Sequence, residues 1–145
     1  MQKDFDRTLN ERGHKDAPEM VKRLVDNNVP IDAFISSPAV RAYTTAAYFA
    51  KAYGKKEQDI ITFSDLYEAP AANFYKVIKK TSDTFNTVAV FSHNPGITEF
   101  ANSLTTARID DMPTCAIFAV QANINHWKDF AKAEKTFWFF DYPKA

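Results

Sequence analysis

Two short apolar runs in this chain end on serine and pass straight into the opening of a helix, and this repeated hand-over limits the fold more than any other feature. Ala33-Phe34-Ile35-Ser36 stops at Ser37-Pro38, and residues 87–92 stop at His93-Asn94-Pro95-Gly96. Serine before proline favours helix entry, because the hydroxyl can accept from an orphan N–H and proline's missing donor costs nothing in the first turn. The pattern predicts a helix over about 38–52 and another over 97–104. Ile60-Ile61-Thr62-Phe63 predicts a third short strand, with a helix over about 70–80 behind it. Upstream, Thr8 and Glu11 have capping-box spacing, and Ala17, Val21, Leu24 and Val25 recur on one face, so about 9–26 is expected to be an amphipathic helix with Pro18 weakening its first half. Two strands are expected last, Ala116-Ile117-Phe118-Ala119-Val120 and Thr136-Phe137-Trp138-Phe139-Phe140, joined by a polar crossover that includes Trp127. Alternation of this kind implies a three-layer α/β/α sandwich around a mostly parallel sheet, whose ligands sit beyond the carboxyl ends of the strands.

Composition narrows what such a chain can bind. Its 145 residues, 46% hydrophobic, suit one domain over 1–145 rather than two. Eighteen basic residues balance eighteen acidic ones, so no global field favours a nucleic-acid backbone or an anionic membrane, and neither partner is expected. Any attraction for phosphate must be local. The single Cys115 forms no internal disulfide and no leader is recognisable, which favours a reducing, cytoplasmic setting. Three dispersed histidines and no paired cysteines offer no metal site, and three glycines exclude a Gly-rich nucleotide fingerprint, so neither metal nor cofactor is expected. Cys115 lacks the arginine spacing of a cysteine-based phosphatase loop and reads as a buried or half-buried thiol. The aromatic tail over 137–142 reads as a strand packed in the core rather than as a base-stacking surface.

Three polar clusters fall at or near strand ends: Ser36-Ser37-Pro38 with Arg41, Leu66-Tyr67-Glu68, and Ser92-His93-Asn94-Pro95-Gly96. Arg41, one turn into its helix, can add a bidentate guanidinium to an anion already favoured by the helix N–H groups. His93 closes a buried strand and points into the same crevice. Taken singly, Arg41 could be a surface arginine and His93 a structural histidine; their neighbours and their convergence favour a phosphate pocket. Ser37 is expected to cap its helix whether or not it touches a ligand.

Asp4-Phe5-Asp6-Arg7-Thr8-Leu9-Asn10-Glu11-Arg12-Gly13, Ile35-Ser36-Ser37-Pro38-Ala39-Val40-Arg41-Ala42 and Ser92-His93-Asn94-Pro95-Gly96 together resemble, in order, the signatures of SixA-type phosphohistidine phosphatases of the histidine phosphatase superfamily. Met112-Pro113-Thr114-Cys115 and Trp127-Lys128-Asp129 also look like this family. The resemblance implies a phosphoglycerate mutase-like fold and a two-step phosphoryl transfer, in which a histidine of an Arg-His motif attacks phosphorus and water then releases phosphate. It implies that Arg41 clamps the phosphoryl oxygens, that His93 donates to developing negative charge, and that Ser37 and Asn94 lie against the substrate. Arg7 either adds a phosphate contact or holds its loop through Asp4 or Asp6.

The chain departs from the family in its first motif. Met1-Gln2-Lys3-Asp4 falls inside the loop that normally follows the first strand, so that strand and its Arg-His motif are expected to be missing by truncation. Neither His14 nor His126 is a convincing substitute nucleophile. In the family fold the absent strand is expected between those ending at Ser36 and Ser92, leaving a gap there. Glu68 resembles in position the acid that protonates the leaving group in larger superfamily members, although a phosphoramidate nitrogen needs less help than an alkoxide. Three functions are therefore carried forward: removal of phosphate from a phosphohistidine-bearing protein, hydrolysis of small phosphomonoesters with Glu68 as acid, and phosphate binding without catalysis.

Overall fold

The computed structural model describes residues 4–144 as two helical layers with strands between them. In chain order the elements are α1 (Glu11–Asp26), β1 (Ala33–Ser36), α2 (Val40–Ala52), β2 (Ile61–Thr62), α3 (Ala71–Lys79), β3 (Val88–Phe91), α4 (Gly96–Leu104), β4 (Ile117–Ala122) and β5 (Lys135–Asp141). β2, β1 and β3 form a parallel sheet in that order, with Ile35 opposite both Ile61 and Val90. β4 and β5 form a separate antiparallel ladder, so the expectation of one mostly parallel sheet holds for the first three strands only. The architecture is the α/β sandwich anticipated.

Burial explains the layering. Met20, Val21 and Leu24 of α1 and Ala46, Phe49 and Ala50 of α2 pack over Phe34 on one side of the sheet. Phe74, Val77 and Ile78 of α3 and Phe100 of α4 pack over Ile35 on the other. Phe74 stacks on Phe100 at a centroid distance of 4.7 Å. All four residues of β1 are buried, which is what a central parallel strand requires of a continuous apolar run. Tyr53, just past the end of α2, also serves the frame: its phenol donates to the Val29 carbonyl at 2.7 Å and fixes the turn between α1 and β1.

Several expectations need correction. The first helix is capped by Asn10, whose Oδ1 accepts from Gly13 N at 2.8 Å, and not by Thr8. Pro18 does not break it. Val25 is 44% exposed because the buried face runs through Gly13, Asp16, Ala17, Met20, Val21 and Leu24, one step round the helix. Ser37 accepts from Ala39 N at 3.2 Å, so it shapes the turn before α2 rather than the helix end, and Arg41 is the second residue of α2, not one turn in. β3 is half-buried, not buried. Phe137 and Trp138 are 42% and 39% exposed, so the aromatic tail is only partly a core strand. Most consequentially, β1 and β3 hydrogen-bond directly along four residue pairs, so no gap lies between the strands ending at Ser36 and Ser92.

The cap assignment is open to direct test. Asn10→Ala should lower unfolding stability by about 0.5–2 kcal/mol, whereas Thr8→Ala should stay within about 0.5 kcal/mol, both read by urea denaturation.

Candidate functional site

The β1–β3 pairing sets the hand-over after β1 beside the hand-over after β3. Ser37 N donates to the Phe91 carbonyl at 2.9 Å, locking the two chain exits together. α2 then carries Arg41 outward, and two residues beyond β3 the chain turns at His93-Asn94-Pro95 into α4. Arg41, Glu68, His93, Asn94 and Asp4 line one open pocket of about 550 Å³ at these carboxyl ends. Four of the six residues singled out from sequence are thus brought together. Ser37 is buried beneath the pocket and does not line it. Arg7 stands exposed beyond a short helical turn over Asp4–Asp6 and is not a lining residue; its backbone N–H donates to the Asp4 carbonyl at 3.2 Å.

Each wall has its own support. Asn94 lines the pocket, but its amide is committed elsewhere: Nδ2 donates to the Met112 carbonyl at 2.8 Å and Oδ1 accepts from Thr98. It fixes the turn that presents His93. Ser92 Oγ donates to the Leu66 carbonyl at 2.7 Å, tying this turn to the 66–70 segment. Gly96 makes the same junction tighter, since a Cβ there would lie 2.0 Å from the Ala69 carbonyl oxygen. Only glycine permits that approach, and the approach carries Glu68 to the pocket rim, where its backbone adopts a positive φ of 49°.

The electrostatics join Arg41 to two groups the sequence reading gave no role in the pocket, Asp4 and Tyr67. Arg41 donates to the Asp4 backbone carbonyl at 2.9 Å and meets the Asp4 carboxylate at 3.4 Å. Tyr67 donates its phenol to the same carboxylate at 2.7 Å. That hydrogen bond, with the Arg41 and His93 charges behind it, holds the Asp4 carboxyl below the usual aspartate range. The same bond, together with desolvation, pushes the Tyr67 phenol up to about 12. Asp4 therefore engages the guanidinium that an incoming anion would need. Tyr67 also sets its ring edge against His93, centroids 5.3 Å apart.

His93 is the unsatisfied member. Neither ring nitrogen has a hydrogen-bond partner among the described residues, although both are enclosed. Burial first, and the neighbouring Arg41 charge second, hold its pKa below the ordinary imidazole value, partly offset by Asp4 and Glu68. A buried imidazole without a partner is costly, and an oxyanion would supply one. His14 and His126 lie elsewhere: His14 pairs with Tyr48 at 2.7 Å and His126 with Asp83 at 2.9 Å. Cys115 is half-buried, and desolvation raises its thiol to about 11, in keeping with an inert role.

The fold has counterparts among known proteins. The family model of the histidine phosphatase superfamily (branch 1) matches residues 1–80. No curated protein is recognisably similar in sequence. Among solved structures, SixA from Agrobacterium tumefaciens superposes with a TM-score of 0.80 at 21% identity, covering 99% of this chain and 88% of that one. SixA from Nakamurella multipartitia gives 0.79 at 17% identity, covering 100% and 90%. The protein histidine phosphatase SixA solved with tungstate gives 0.80 at 19% identity, covering 98% and 88%. These likenesses establish the fold.

Two outcomes follow from the pocket's construction. Gly96→Ala should cost about 1–3 kcal/mol in urea unfolding, because the Ala69 carbonyl must retreat. Tyr67→Phe should raise the Asp4 pKa toward the ordinary aspartate value, seen in a carbon-detected NMR titration. Because the folded-state value is depressed, Asp4 contributes stability above its unfolded pKa and loses it as pH falls through the folded one; the variant should show less of that loss.

Proposed function

Because the chain belongs to the histidine phosphatase superfamily, branch 1, we propose that its pocket acts on phosphohistidine carried by a protein. The observation that carries this reading is the meeting of Arg41 with the partnerless, enclosed His93 at the carboxyl ends of paired parallel strands. Arg41 supplies fixed positive charge in a bidentate fork, and His93 donates a hydrogen bond to the oxygen on which charge develops. The exposed rim formed by Glu68, Asn94 and Pro95 leaves room for a macromolecular substrate. A SixA protein solved with tungstate, a tetrahedral dianion like phosphate, supports an oxyanion in the equivalent fold. A reducing cytoplasmic compartment suits the lone, inert Cys115 thiol.

In this reading a histidine attacks phosphorus, the phosphorus–nitrogen bond to the substrate breaks, and the leaving nitrogen takes a proton. Water then cleaves the new phosphohistidine and releases inorganic phosphate. The attacking residue is the histidine of the Arg-His motif that the resemblance implies. No Arg-His pair occurs in the 145 residues, and the two other histidines are engaged away from the pocket. Arg41 and His93 form the anion-holding half of the site.

Two further readings have an observation each. Glu68 lines the same pocket, which favours a small phosphomonoester with Glu68 as general acid. The absence of an Arg-His pair from these residues favours an anion-binding module without turnover.

Phosphate release from a phosphohistidine-bearing protein, run beside calorimetric titration with tungstate, separates them. Release that falls about 10²-fold or more in Arg41→Ala and in His93→Ala, and survives Glu68→Gln, supports the phosphohistidine reading. Release from a phosphomonoester that Glu68→Gln abolishes supports the second. Tungstate binding with no turnover of either substrate supports the third. In every case Asp4→Asn should tighten tungstate binding by freeing Arg41.

His93 also makes a pH prediction. Its folded pKa lies below the unfolded value, so the empty protein loses stability as pH falls through the imidazole range. A bound dianion favours the protonated ring. Tungstate affinity should therefore rise as pH falls across that window, and His93→Ala should flatten the dependence.

A further inference from the structure

The pocket that holds Arg41 and His93 is more acidic than the binding of an anion requires. Asp4, Glu68 and Glu99 all line it beside a single arginine. Arg41 meets the Asp4 carboxylate at 3.4 Å, so those two charges offset each other. Glu68 and Glu99 are exposed, and among the described residues neither has a cationic partner. Glu99 stands in the first turn of α4, where the helix dipole favours a carboxylate. That accounts for its position on the helix but not for a second uncompensated carboxylate across the same pocket.

The acidic character continues on the next segment. Residues 109–112 are strapped along α4: Ile109 N donates to Asn102 Oδ1 and Met112 N to Thr98 Oγ1, both at 2.9 Å. Asn94 of the pocket lining joins the strap through the Met112 carbonyl. The strap carries Asp110 and Asp111, both exposed. The basic side chain that precedes them, Arg108, turns its guanidinium to the Asn102, Thr105 and Ala107 carbonyls. Arg7 is exposed outside the lining.

Uncompensated carboxylates around an anion site repel a bare dianion, and a concave site focuses that field. The same carboxylates attract an anion whose carrier brings positive charge with it. Arg41 and the partnerless ring nitrogens of His93 draw the phosphoryl group in, while the rim discriminates by what the group is attached to. We propose that Glu68 and Glu99, continued by Asp110 and Asp111, form an acidic collar that recognises lysine or arginine side chains flanking the phosphorylated residue of a protein substrate. The inference rests on the phosphohistidine reading for the identity of that residue and adds the chemistry of the segment around it. Inorganic phosphate brings no such cations and meets only the repulsion, so the collar also favours departure of the product.

The test measures binding of labelled peptides to the 145-residue protein at low salt by fluorescence anisotropy. Each peptide carries a hydrolysis-resistant phosphohistidine mimic, a phosphorylated triazole. One has lysines on both sides of the mimic, a second has glutamines there, and a control keeps the lysines but lacks the phosphoryl group. The lysine peptide should bind about tenfold or more tighter than the glutamine peptide, with the preference shrinking as salt rises. In Glu68→Gln/Glu99→Gln the preference should fall about threefold or more, and adding Asp110→Asn and Asp111→Asn should remove it. Tungstate, titrated calorimetrically, should bind the double variant more tightly than the parent, the opposite of what a damaged fold would give. Equal affinity for the lysine and glutamine peptides would overturn the proposal, as would a preference that the double variant keeps in full. Equal binding of the lysine peptides with and without phosphoryl would also overturn it, because the carboxylates would then act apart from the pocket. A phosphoserine peptide with the same lysines separates the two claims: if it binds as well as the mimic, the phosphohistidine reading fails and the collar stands.

Discussion

Direct parallel pairing of Ala33–Ser36 with Val88–Phe91 is the constraint from which the site follows. Parallel strands end at the same edge of a sheet, so the residues that close them must share one crevice however far apart they lie in sequence. Arg41 and His93 are more than fifty positions apart, yet each follows a strand in this pair. Buried apolar contacts on both sides of Phe34 and Ile35 supply the energy that holds the register. A slip of one residue would invert every side chain between the two cores and is therefore strongly disfavoured.

The pocket itself sets compensated groups beside an uncompensated one. Arg41 has found a carboxylate, Tyr67 has found the same one, and His93 has found nothing. Such an arrangement stores binding energy for an anion, because the group that would bind it is already desolvated and already placed. The cost is met by the surroundings, where Asn94, Ser92 and Gly96 tie the turn to Met112, Leu66 and Ala69.

What the sequence disclosed, and what it hid, divides along physical lines. Strand–helix hand-overs are local, and β1, α2, β3 and α4 all fall where the apolar runs and turn residues put them. Arg41, Glu68, His93 and Asn94 were legible because each sits in or beside a polar cluster at or near a strand end. Asp4 and Tyr67 were not, since their bond spans 63 positions and nothing local announces it; Tyr67 stood in a noted cluster beside the residue that drew attention. The contact of Gly96 with Ala69 likewise depends on two segments meeting in space. The misplaced gap came instead from the family resemblance: a match of motifs does not order strands in a sheet, and only the register shows that β1 and β3 are direct neighbours.

The β4–β5 ladder carries a consequence for the order of events during folding. A two-stranded ladder is marginal in water on its own. This one leans on Arg23 near one end and on the Asp83 carboxylate near the other, partners that lie 118 and 44 positions away in the chain. Contacts of such separation form only after the elements that offer them exist. The amino-terminal helix and the turn after α3 must therefore be in place before the last third of the chain can settle, which makes the ladder the late step and leaves its aromatic face the longest exposed to other chains while the protein folds.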